Sequence, residues 1–248
     1  MNKTTDQKLV NKLCLVIFFE LLFELLAINF LKAISEYNNL IFLALSKSLF
    51  LILLIILNKK LTRQQIPFSL KLNREQQKLI GVLIAGLVLI GLINKKNILM
   101  AITIGLIAST TEEYLFRGIV LVALLKLSYQ TKKAYMRILI PVIISSMLFG
   151  LEHFLNLYAQ NLNLTIIQVC QTMAMGYIFA SIFLRTKNLL FSMICHFSLD
   201  FIVTIFWGIK NDPGASMTYS IVPILIYLIL GSIILVPVLT EGSLKIKK

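Results

Sequence analysis

Glu112, Glu113 and Arg117 stand inside an apolar run that begins at Ile98 and continues to Leu125. That run is longer than the ~20 residues a helix needs to cross a bilayer. An ionisable side chain at the centre of such a helix costs on the order of 2.5–3.5 kcal/mol on insertion scales. Three of them so close together are tolerable only where they face a protein interior or water. The rest of the chain therefore has to supply their partners.

Composition shows what kind of chain does this. Hydrophobic residues make up 58% of the sequence and charged residues 14%, whereas soluble domains are about 45–50% apolar. Eight apolar runs are legible, at 13–31, 40–57, 79–93, 98–125, 138–155, 165–184, 189–207 and 219–239, the third extending back towards Gln76. No alternation of strand period is sustained, so the expected fold class is all-α: a polytopic transmembrane helix bundle. No repeat or soluble insert is visible. One transmembrane domain is expected over 1–248, with the motif-bearing core at 98–207. The first run is too long for a signal peptide and contains Glu20 and Glu24, so it reads as a retained span.

The net charge of +13 does not indicate nucleic acid. With the N-terminus placed inside, 18 of the 24 Lys and Arg residues fall in inner segments and four in outer ones. That asymmetry is the positive-inside pattern, and it puts both termini in the cytoplasm. The basic 58–78 loop carries Ile66-Pro67-Phe68 and reads either as an inner-surface segment held to anionic lipid or as a plain solvated loop. Cys14, Cys170 and Cys195 show no pairing pattern and read as small core residues.

The acids are distributed differently from the bases. Six of the eleven lie within the spans (Glu20, Glu24, Glu112, Glu113, Glu152 and Asp200), as do both histidines, His153 and His196. Intramembrane acids and histidines call for partners or chemistry. Glu113 and Arg117 are four apart and share a helix face, whereas Glu112 points roughly 100° away. Phe149 and His153 are four apart in the fifth span, and His196 and Asp200 four apart in the seventh. Glu24 and Lys47 stand at matched depth and are expected to form an interhelical ion pair. Counted from the cytoplasmic span ends at ~1.5 Å per residue, Glu112 and His153 are about 20 and 22 Å deep. His196, at about 10 Å by the same count, is expected to be shallower.

Three motifs occur in order: Glu112-Glu113-Tyr-Leu-Phe-Arg117, Phe149-Gly-Leu-Glu-His153 and His196-Phe-Ser-Leu-Asp200. In these, over about residues 100–205, the chain resembles the CAAX protease and bacteriocin-processing (CPBP, or Abi) family of intramembrane proteases. The resemblance implies an endopeptidase that hydrolyses a peptide bond of a membrane-associated peptide or protein. Glu112 would be the base that activates water and His153 its partner. His196 and Asp200 would steady the oxyanion, with Glu113, Arg117 and Phe149 in support. Such chemistry needs an activated water, a base and donors at the developing oxyanion.

Asp200 stands where the family commonly has Asn, and an ionised Asp cannot donate. It is protonated, or orients His196, or binds a metal. Glu112, His153, His196 and Asp200 are acceptable ligands for a divalent ion such as zinc, so the expected cofactor is none or one such ion. Two other functions use the same residue types: a non-catalytic membrane-embedded binding protein of the bacteriocin-immunity type, and a proton-coupled transporter. The expected partners are the substrate and the lipid bilayer, with no nucleic acid. The expected location is the cell membrane, multi-pass, and the abundance of Ile, Lys and Asn points to an AT-rich bacterium.

The charge asymmetry makes a direct prediction. A cysteine introduced as Lys132→Cys should react with a membrane-impermeant maleimide only from the cytoplasmic face; labelling from outside would reverse the topology.

Overall fold

The computed structural model describes residues 3–33, 40–208 and 217–241. Eight helical segments are long and apolar enough to cross a membrane, as the sequence predicts, and among the described residues there is no strand. Of the outer loop bases, Lys210 lies outside the described residues, as do the basic residues of the C-terminal tail.

The helices are α1 (Lys3–Ala33), α2 (Leu40–Leu57), α3 (Arg74–Ile93), α4 (Ile98–Glu113), α5 (Val122–Leu127), α6 (Met136–Glu152), α7 (Leu162–Thr186), α8 (Leu189–Trp207) and α9 (Met217–Glu241). Helices α4 and α5 belong to one span, joined by a π-helical stretch, Tyr114–Leu121. Helix α7 is the central post, with α6, α8 and α9 packed around it, while α4 lies between α8 and α2. The surface is apolar: Ile41, Leu45, Leu49, Ile52 and Ile56 line the outside of α2 at helical spacing. Such a face suits lipid rather than water. The interior holds the charges instead. Cys14 departs from expectation, being exposed on α1.

Two regions differ from the sequence reading in ways that shape the site. The π-helical stretch widens the middle of the fourth span, and the hydroxyl of Ser145 on α6 donates to the Phe116 carbonyl there at 2.9 Å. Widened turns of this kind concentrate at functional sites. Helix α6, expected to run to 155, ends at Glu152 and tightens into 3₁₀ turns over His153–Tyr158.

Most residues of the basic loop are exposed, as either reading of it expects, but the loop is also tied to the bundle. Residues 63–73 form a non-helical strap. Its Ile66 packs inward, so close that a Cβ on Gly118 would lie 2.9 Å from the Ile66 Cδ1. Phe68 and Leu70 face out. Asn188, the N-cap of α8, pins the strap. Its Oδ1 accepts from the Ser69 amide at 3.0 Å and its Nδ2 donates to the Ser69 carbonyl at 2.8 Å. The Leu189 amide donates to the Pro67 carbonyl at 2.8 Å. Helix α8 thus begins inside the protein, with Leu189 buried.

Asn188→Ala removes both strap bonds and the side-chain cap, a loss of about 1–2 kcal/mol. It should speed limited proteolysis within 63–73 and lower the unfolding temperature in detergent. An unchanged cleavage rate would mean that Ile66 and the Leu189–Pro67 backbone bond suffice to hold the strap.

Candidate active site

The sequence predicts an intrahelical pair between Glu113 and Arg117, and the structure contains it. Glu113 Oε1 lies 2.9 Å from Arg117 Nη1, both side chains fully buried. The guanidinium has further partners on other helices. Its Nη2 donates to the Gly176 carbonyl of α7 at 3.0 Å. Its Cζ lies 4.4 Å from the centre of the Phe149 ring and 5.2 Å from that of Phe179, over their π faces. Gly176 is required by the packing: a Cβ there would meet the Ser146 Cα at 3.0 Å, Phe149 at 3.1 Å and Arg117 Nη2 at 3.2 Å. No side chain fits where the α7 backbone approaches α6 and the arginine.

The same Glu113 oxygen also lies 2.9 Å from His196 Nδ1. A carboxylate oxygen only accepts, so Nδ1 carries the proton and donates. The ring is stacked on Phe179 at 4.6 Å between centroids. With Nδ1 so held, Nε2 is aimed at two other acids: Asp200 Oδ2 at 3.3 Å and Glu112 Oε2 at 3.8 Å. His196, expected to be shallower than Glu112, is therefore level with it. The depth count takes the start of α8 as a surface position, whereas Leu189 is buried and bonded to the strap.

His153 sits at the break in α6. Its Nδ1 is 3.0 Å from the Phe149 carbonyl, which can only accept, so the proton is on Nδ1 and Nε2 presents a lone pair. Among the described residues no hydrogen bond or ion pair joins His153 to Glu112 directly. The link is Phe149, whose ring lies edge-on to His153 at 5.3 Å and to His196 at 5.8 Å. Glu112 is partly buried and makes no hydrogen bond among the described residues. It is the unengaged carboxylate of the pair, as its place on the helix requires.

The four candidate metal ligands do not form a ready site. Among the described residues no group of three His, Cys, Asp or Glu side chains is disposed to hold an ion. His196 commits Nδ1 to Glu113, and His153 has no direct contact with Glu112. Sequence reading missed Gly176 and Phe179 altogether. A lone glycine in an apolar helix is a weak sign of close backbone approach, and nothing in the sequence singles out one phenylalanine of sixteen.

The arrangement is that of a multi-pass membrane protein with a polar His/Glu/Arg/Asp centre enclosed by helices. Residues 94–202 match the family described as Rce1-like, type II CAAX prenyl endopeptidase Rce1-like. This segment, less than half of the chain, carries all three motifs, and the match is consistent with the CPBP resemblance read from them. No curated protein and no solved structure matches the chain.

The buried ion pair predicts unequal mutant effects. Arg117→Ala strands an uncompensated carboxylate and should cost about 3–5 kcal/mol. Glu113→Gln combined with Arg117→Met leaves no charge stranded and keeps an acceptor for His196. Thermal unfolding in detergent should rank the double variant above the single one.

Proposed function

We propose that this protein is an intramembrane endopeptidase that cleaves a membrane-associated peptide or protein with a water activated by Glu112 and His153. The observation that carries this reading is the buried chain from Arg117 through Glu113 to His196. It uses up one glutamate of the pair, fixes the ring of His196, and leaves the other glutamate free beside Nε2. The family match over residues 94–202 supports a CAAX-type protease as the class. The apolar exterior and the loop charge bias support a place in a bacterial cell membrane with both termini cytoplasmic.

In this reading the water lies between Glu112 and His153 Nε2, which accepts one of its hydrogen bonds. Glu112 takes a proton as the water oxygen bonds to the scissile carbonyl carbon. The developing oxyanion accepts a hydrogen bond from His196 Nε2, for which Asp200 is the resting partner. The C–N bond then breaks, the amine leaves with the proton held by Glu112, and the other product is a carboxylic acid, which gives up its remaining proton to water. Arg117 and Glu113 stay out of the reaction; their work is to hold His196 at a fixed angle.

Glu112→Gln preserves shape and removes the base. It should lower cleavage of a membrane-tethered reporter by about 10²–10⁴-fold while leaving the unfolding temperature near that of wild type. Retained cleavage would overturn the base assignment, and a wild type that binds the reporter without cutting it would favour a binding role. Asp200→Asn should be tolerated, because the amide can still partner His196. Joint loss of activity and of bound zinc in the purified variant would instead assign Asp200 as a metal ligand.

A further inference from the structure

Helix α1 lies outside the segment that matches the family, and its apolar side chains, among them Phe18, Leu22 and Leu26, are exposed on the bundle surface. Two of its acids nonetheless turn inward. Glu24 pairs with Lys47 of α2 at 2.8 Å, as the matched depths predict. Glu20, one turn away, is 1% exposed, and its carboxyl lies within side-chain hydrogen-bond reach of that of Glu152, the last residue of α6. The sequence left Glu152 without a partner, and this is where it goes.

Two carboxyl groups in hydrogen-bond contact need a proton between them, because two carboxylates only accept and repel each other. The surroundings reinforce this. Glu24 of α1, Lys47 of α2 and Glu112 of α4 lie within electrostatic reach of the pair, and Arg117 within reach of Glu152. The ammonium is already bonded to Glu24 and the guanidinium is already paired with Glu113. Glu20 Oε1 and Glu152 Oε2 are buried oxygens that no N–H or O–H donor among the described residues reaches. The shared proton is therefore the polar link between α1 and the end of α6.

That end is where the site is shaped. Glu152 is followed directly by His153, at which α6 tightens into 3₁₀ turns, and the ring of His153 is tied back to Phe149. A grip on the Glu152 side chain is a grip on that break. We propose that Glu20 is a positioning residue of the centre: through the proton it shares with Glu152 it holds the end of α6 and with it the His153 ring. Helix α1 is then part of the working enzyme and not a peripheral span. The consequence for activity rests on the hydrolytic reading above; the geometric claim does not.

The chain contains two histidines, so ¹⁵N-histidine labelling gives spectra of two imidazoles, assigned with His196→Gln. Glu20→Leu should move the His153 resonances, whereas Glu20→Gln, whose amide donates to Glu152, should leave them in place. On a cleaved reporter, Glu20→Leu should lower kcat by about tenfold or more with KM unchanged, and Glu20→Gln should run at the wild-type rate. If Glu20→Leu does not fold, Glu20→Asp replaces it: the acid is kept but withdrawn from Glu152, and the His153 resonances should again move. Unmoved His153 resonances in the folded Leu or Asp variant overturn the proposal, as does a Gln variant as disturbed as the Leu one. Resonances that respond as expected in a protein that cleaves nothing would uphold the positioning role and reject the hydrolytic reading.

Discussion

The buried pair of Glu113 and Arg117 is the contact on which the centre depends. In a medium of low dielectric an isolated charge is intolerable, and two charges are held together strongly only if their remaining hydrogen-bonding capacity is met. The structure meets part of it with groups from three other helices, while Glu113 Oε2 and Arg117 Nε keep no hydrogen-bond partner among the described residues. The α7 backbone supplies a carbonyl at Gly176, Phe149 of α6 and Phe179 of α7 supply π faces, and α8 supplies the His196 ring. A pair that could form on one helix alone thereby fixes the relative placement of four. Arg117 is the largest fully buried side chain among the described residues, and its guanidinium offers donors in several directions, as a lysine could not.

The second organising contact is of the opposite kind. Glu24, Lys47, Glu20 and Glu152 bind the two N-terminal helices to the end of α6 with few bases among many acids. Glu112 lies within electrostatic reach of both clusters. Its freedom from direct hydrogen bonds is a product of both: one neighbour has taken Arg117, and another group has taken Lys47.

Helical spacing and hydropathy made much of this legible. The eight spans, the Glu113–Arg117 pair and the Glu24–Lys47 pair follow from periods of 3.6 and from the cost of leaving a charge in lipid. What was not legible depends on backbone geometry that no side-chain pattern encodes. The π-helical turns at Tyr114–Leu121, the tightening at His153 and the inward start of α8 all change where a residue sits by roughly a helical turn. Counting 1.5 Å per residue from assumed ends cannot capture them, and so His196 was placed too shallow. Partnerships across distant helices, such as Glu20 with Glu152, have no local signature either.

The strap pinned by Asn188 also has a consequence for the order of assembly. Ser69 and Asn188 are 119 residues apart, so at ribosomal speeds the strap waits on the order of ten seconds for its anchor. The same holds for Glu113, whose histidine arrives 83 residues later. The Arg117 contact, four residues away on the same helix, is available at once. The fourth span can therefore enter the bilayer with its charges already neutralised in part, as a temporary arrangement that needs no other helix. The long-range bonds close this end of the bundle only after α8 has been delivered, which makes the polar centre one of the last regions of the protein to mature.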